Sequence, residues 1–149
     1  MIIYENDYIG KIVYIKNIVF AKGENKLDHA YNTGRPCLLI YSDEEYDYFL
    51  IISSQIKNKN YDFDYYKLNN DDFMYLYDYH GNNSRVKLDS AHGYVYLRSI
   101  YKRKVSGFGM NDSGKIKLKT YKDIINKIKF LHNKENMSEI INNARVIGR

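Results

Sequence analysis

Two stretches of this chain hold side chains suited to chemistry on a phosphate. The first is Asn32-Thr33-Gly34-Arg35-Pro36-Cys37-Leu38-Leu39-Ile40, and the second is Leu50-Ile51-Ile52-Ser53-Ser54-Gln55. Arg35 stands between a glycine and a proline, immediately before an apolar run, so Pro36 restricts its backbone at what should be the mouth of a strand. The second run ends in two hydroxyls and an amide. If the two runs form an antiparallel hairpin, the start of one lies beside the end of the other, and Arg35 faces Ser53 and Ser54 across a gap that one phosphodiester could fill. A guanidinium offers a planar fork of donors that matches phosphate oxygens, and hydroxyls add further hydrogen bonds. The competing reading is an ordinary surface ion pair at Arg35 and a plain turn at Ser53-Ser54-Gln55.

Other common sites are excluded by their spacing. Gly107-Phe108-Gly109 lacks the third glycine of a dinucleotide loop, and there is neither a Walker-type loop nor a Gly-x-Ser-x-Gly elbow. His29, His80, His92 and His132 are far apart and Cys37 is the one cysteine, so a structural zinc site is not expected. No metal and no cofactor is implied. The acid pairs Glu44-Glu45 and Asp71-Asp72 read as solvated turn residues.

The elements that must position these groups are mostly strands. Gly10 to Ile15 is β-branched and aromatic, and begins on a glycine. Cys37 to Tyr41 is a continuous apolar run, the pattern of a strand buried on both faces. Asp43 to Asp47 reads as a polar turn and Tyr48 to Ser53 as the returning strand of a hairpin. Tyr61 to Leu68, Phe73 to Tyr79, Arg85 to Leu88 and Tyr94 to Ile100 alternate as half-exposed strands, with a turn at Tyr79 to Asn83. Near the end, Thr120-Tyr121-Lys122-Asp123 resembles a capping box with Asp in place of Glu, and Ile124, Ile125, Ile128 and Leu131 form one apolar helical stripe. Further helical turns are expected around Met137 to Ala144, with Ile140, Ile141 and Ala144 inward. Short strands curling on themselves and closed by a C-terminal helix predict a small α+β barrel.

The 149 residues suit one domain, residues 1–149, with 44% apolar and 28% charged residues. A single cysteine suits a reducing compartment, no apolar run approaches the roughly 20 residues of a membrane span, and no secretory signal opens the chain. A cytoplasmic, non-membrane protein is the expectation. The formal charge of +5 is unevenly spread. Acids dominate from Asp43 to Asp78, whereas Arg98, Lys102, Arg103, Lys104, Lys115, Lys117, Lys119, Lys122, Lys127, Lys129 and Lys134 face only Asp112 and Asp123. A basic C-terminal third points to a polyanionic partner.

Three blocks, in order and spacing, resemble the MazF/PemK family of endoribonuclease toxins: Gly10-Lys11-Ile12-Val13-Tyr14-Ile15, Gly34-Arg35-Pro36-Cys37-Leu38-Leu39-Ile40 and Ile51-Ile52-Ser53-Ser54-Gln55. A later element is similar in Val86-Lys87-Leu88-Asp89 and Tyr94-Val95-Tyr96-Leu97. The resemblance covers about the first 60 residues. It implies an SH3-like β-barrel and metal-independent RNA cleavage, in which the 2′-OH attacks the adjacent phosphate and leaves a 2′,3′-cyclic phosphate. In that scheme Arg35 stabilises the phosphorane, Ser53 or Ser54 binds a phosphate oxygen or orients the 2′-OH, and His29 is the candidate base.

Ser53 stands where the family commonly has Thr, and the Tyr- and Lys-rich later half departs from members inhibited by proteins. It is closer to the ToxN/CptN-like type III branch, whose antitoxin is a small repeat-derived RNA. That resemblance implies mRNA and precursor antitoxin RNA as substrates, an assembly with the antitoxin, and an RNA grip. Candidate RNA contacts are Lys22, Lys26, Gln55, Lys57, Lys59, Arg98, Lys102, Arg103, Lys104, Lys115 and Lys117. Tyr94, Tyr96, Tyr101 and Phe108 are candidate stacking platforms, against strand packing as their alternative. The alternatives are a protein antitoxin, a non-catalytic nucleic-acid-binding barrel, and a protein-interaction barrel.

Overall fold

A computed structural model describes residues 9–15, 35–53, 63–76, 93–104 and 112–146. Nine strands lie in these segments: β1 (Lys11–Ile15), β2 (Arg35–Ser42), β3 (Tyr46–Ser53), β4 (Tyr65–Lys67), β5 (Phe73–Leu76), β6 (Tyr94–Tyr96), β7 (Tyr101–Lys104), β8 (Asp112–Ile116) and β9 (Arg145–Val146). Two helices follow β8, α1 (Leu118–His132) and α2 (Met137–Ile141). The class is mixed α+β. The strands run in the order β4-β6-β3-β2-β1-β8-β5, with β7 on β3 and β9 on β7. Every pairing is antiparallel except β7 with β9. Among the described residues β4 and β5 end the path and do not pair with each other, so the sheet is open there.

The centre is the expected hairpin of β2 and β3, in register Cys37↔Ile51, Leu38↔Leu50 and Leu39↔Phe49. Both strands are buried on both faces through their middles, from Pro36 to Ile40 and from Tyr48 to Ile52. That burial explains continuous apolar runs instead of alternation. The turn is closed by Asp43: its Oδ1 accepts the backbone N–H groups of Glu45 and Tyr46 at 2.9 and 2.7 Å, and its Oδ2 accepts the Tyr48 hydroxyl at 2.8 Å. The aspartate thus supplies the acceptor that a tight turn needs.

On its far edge β3 meets two partners in succession. Tyr46 to Phe49 pair with β7, and Ile52 and Ser53 pair with β6. Residues 94–104 therefore run along one edge of β3 but leave the ladder from Leu97 to Ile100. A continuous strand from Tyr94 to Ile100 is thus replaced by two short strands and an excursion. Non-local bonds hold the excursion out: the Leu97 N–H donates to the Asp64 carbonyl at 2.8 Å, and the Arg145 N–H donates to the Ile100 carbonyl at 2.8 Å.

Two glycines are required by geometry. Gly10, leading into β1, has φ +87°, a region that L side chains rarely adopt. Gly114 lies between β1 and β5, where a Cβ would come within 3.0 Å of Leu76 Cδ1 and of the Tyr75 carbonyl oxygen.

Helix α1 covers the sheet with Tyr121, Ile124, Ile125 and Ile128 buried and Leu131 half-buried, which is the expected stripe. It starts two residues before the expected cap. Lys117 is the N-cap, and Thr120, inside the first turn, donates its hydroxyl to Asp72 at 2.9 Å. Asp72 belongs to a 3-10 turn (Asn70–Asp72), where its other oxygen accepts the Asn69 N–H at 2.7 Å. Asp72 is therefore a tether and not a solvated acid. It also brings negative charge to a helix N-terminus whose own first turn has no acid. Asn133 closes α1 in the left-handed conformation at φ 53°. Helix α2 is capped by Asn136 and buries Met137 and Ile140, while Ile141 and Ala144 pack half-buried against the core. The expected elements at Arg85 to Leu88 and Tyr79 to Asn83 lie outside the described residues.

Candidate functional site

At this end the last β2–β3 pair is Cys37↔Ile51, and Arg35 and Ser53 each lie two residues beyond it, at the ends of their strands. Neighbouring ladders extend from each. Ile15 pairs with Arg35, Ser53 pairs with Tyr94, and Tyr94 pairs with Lys67. Ile15 and Arg35 thus share one row and Ser53, Tyr94 and Lys67 another, the two meeting at the neighbouring ends of β2 and β3. Directly opposed residues lie about 5 Å apart at Cβ. Ser53 and Tyr94 are half-buried and Lys67 is exposed, with its Nζ 6.0 Å from the Tyr94 ring centroid. Lys67 is the member of the Ser53 row missed from sequence. It is one of three lysines in an acidic stretch, and only the pairing of β4 with β6 reveals it.

His29, Ser54, Lys22, Lys26, Gln55, Lys57, Lys59 and Phe108 lie outside the described residues. The aromatic candidates divide. Tyr96 and Tyr94 are half-buried beside Tyr65, with ring centroids 5.1 and 6.4 Å from it. Burial and the nearby Asp64 carboxylate push the Tyr96 phenol up, against Arg98 and Arg145, so it stays a neutral donor. Tyr101 corrects the expectation for that residue: it is 4% exposed and packs in the core, so its ring is closed to a stacking base.

The basic residues are spread over more than one surface. Arg98 donates from Nε to Asp64 at 2.6 Å and from a terminal nitrogen to the Leu131 carbonyl at 3.3 Å. Its guanidinium also lies 5.7 Å from the Phe63 ring centroid. Lys102 lies over the Tyr46 ring at 4.5 Å, at the turn end of β3 and away from the Ser53 rung. Arg103 is half-buried and Lys104 exposed on the same strand. Lys115 is on β8, half-buried across from Lys11, and Lys117 is exposed at the start of α1. Among the described residues no three His, Cys, Asp or Glu converge as a metal site, and no helix is long and apolar enough to cross a membrane.

No family model matches the chain, and no curated protein matches it either.

Proposed function

We propose that this protein is a metal-independent endoribonuclease toxin of the MazF/PemK type, in the branch neutralised by a small RNA. The observation that carries the reading is that Arg35 and Ser53 end neighbouring antiparallel strands, each two residues beyond the last pair, Cys37↔Ile51. A guanidinium and a hydroxyl from adjacent strands can hold two oxygens of one phosphodiester, with Tyr94 and Lys67 extending the donor row. The RNA 2′-OH attacks the adjacent phosphorus and the 5′-oxygen leaves with a proton, giving a 2′,3′-cyclic phosphate and a 5′-OH. Arg35 opposes the charge that grows on the phosphorane oxygens, where fixed donors contribute most to rate. His29 is the candidate base. The accompanying fold is a small SH3-like barrel in the cytoplasm, assembled with its antitoxin.

The test is incubation of the purified full chain with RNA in EDTA, followed by analysis of product ends. Cyclic phosphate ends, lost in a folded Arg35→Ala variant, support the reading. Full activity of Arg35→Ala removes it. A second reading, RNA binding without cleavage, is favoured by the half-buried Tyr65, Tyr94 and Tyr96 rings beside Lys67. It predicts salt-dependent binding and intact RNA.

A further inference from the structure

The excursion from Leu97 to Ile100 opens a cleft of about 170 Å³ against the end of α1 and the turn between α2 and β9. Its wall carries Arg98, Ser99, His132, Asn143 and Arg145, with Ile140 as apolar floor. We propose that this cleft binds a phosphate group of RNA, as a second anchor for a strand that crosses the Ser53 rung.

The polar lining comes from three separate segments. Arg98 has five N–H groups, of which Asp64 and the Leu131 carbonyl engage two. The Asp64 contact fixes the plane of the fork, so the remaining edge is held rather than wandering. Arg145 is exposed, and its backbone N–H is bonded to Ile100, which anchors the residue at the rim. His132 Nε2 lies 2.8 Å from the Leu97 carbonyl oxygen. A carbonyl only accepts, so Nε2 carries hydrogen and Nδ1 is the ring's other polar edge. Ser99 and Asn143 add a hydroxyl and an amide. Among the described residues the acid paired here is Asp64, against Arg98 and Arg145, which leaves the cleft cationic.

The cleft suits a single phosphate in size and donor chemistry, and the guanidinium pair suits its paired oxygens. Its assignment to RNA rests on the proposed function. Arg98 lies four positions after Tyr94, on the Ser53 rung, so their Cα atoms are at most about 14 Å apart. A strand bound at the rung therefore reaches the cleft within a few nucleotides.

The test uses single-stranded RNA with every 2′-OH methylated, which can bind but has no nucleophile. Anisotropy is read across a potassium chloride series for the full chain and for Arg145→Glu, Asn143→Asp and Arg145→Lys. The first two variants alter exposed side chains and leave every hydrogen bond described above in place. Each is expected to weaken binding about tenfold, with Arg145→Glu lowering the salt slope by about 0.7, the value of one phosphate contact on a single strand. Arg145→Lys keeps most of the affinity. Wild-type affinity and slope in both Arg145→Glu and Asn143→Asp, at wild-type melting temperature, overturn the proposal. So does absence of RNA binding by the parent chain. Inorganic phosphate is the second arm: stabilisation by phosphate that Arg145→Glu abolishes, without any change in RNA affinity, replaces RNA with a small phosphate-bearing ligand. Unmethylated RNA separates the two ideas. Binding without cleavage sinks the endoribonuclease and leaves the cleft, whereas cleavage with unaffected variants sinks the cleft alone.

Discussion

The Tyr121 hydroxyl donates to the Ile40 carbonyl at 2.7 Å, joining helix α1 to the central hairpin across 81 residues of sequence. Ile40 sits where the β2–β3 register shifts, between Leu39 and Tyr41. The helix thus supplies a donor at an irregular point of the ladder. Burial, with Tyr41 adding to it, holds the Tyr121 phenol well above its ordinary range, so it remains a neutral donor. Tyr121→Phe keeps the ring and removes the bond. It should lower unfolding free energy by about 1–2 kcal/mol, the cost of a buried acceptor left unmet. In urea the midpoint should fall with an unchanged slope, and a midpoint that stays put would show that the bond contributes nothing.

Arg98 and Asp64 are unequal partners. The Asp64 side chain is 10% exposed and that of Arg98 39%. Removing the arginine leaves a buried carboxylate without its main donor, whereas removing the charge from Asp64 leaves a guanidinium that water can reach. Arg98→Ala should therefore cost about 2 kcal/mol and Asp64→Asn less than half as much. Equal losses in paired denaturation curves would contradict this asymmetry.

The turn at Asp43 makes stability depend on acid. Burial raises this carboxyl, but the N–H groups of Tyr46 and Glu45, the Tyr48 hydroxyl and the Lys102 charge outweigh it and hold it below its ordinary 3.8. A lowered native value means that the unfolded chain binds the proton first as pH falls. The contribution is whole above 3.8 and is lost as pH falls through the native value. Asp43→Asn lacks this titration. It should be less stable than the parent at neutral pH, and the gap should narrow in acid. A gap that stays constant down to the acid limit would refute the assignment to Asp43.

The hairpin was legible because its determinants are local: two apolar runs flank an acidic turn that Asp43 closes. Arg35 and Ser53 could be placed at neighbouring strand ends for the same reason, since the hairpin alone brings the start of β2 beside the end of β3. What could not be read depends on distant partners. Thr120 looked like a helix cap, but its hydroxyl is taken by Asp72, 48 residues earlier. Tyr94 to Ile100 alternates like one strand, yet Asp64 and Arg145 draw Leu97 and Ile100 out of the ladder. Tyr101 and Tyr94 are alike in local context, and only the packing of the core separates a buried ring from a half-buried one. Lys67 joins the candidate row solely through β6.

The role proposed for Ser53 separates binding from rate. If its hydroxyl acts on the phosphorane and not on the resting phosphodiester, Ser53→Ala should lower the cleavage rate about 100-fold while RNA affinity changes little. The substitution is small and lies at the end of β3, so the fold should survive it. Ser53→Thr is the informative companion. It restores the hydroxyl and adds a methyl that narrows the choice of rotamer, on a strand that favours β-branched residues. Cleavage by Ser53→Thr should match or exceed that of the parent. A Thr variant as impaired as Ala would mean that the position needs small size and not a hydroxyl, and the catalytic role would pass from Ser53 to a neighbour such as Tyr94.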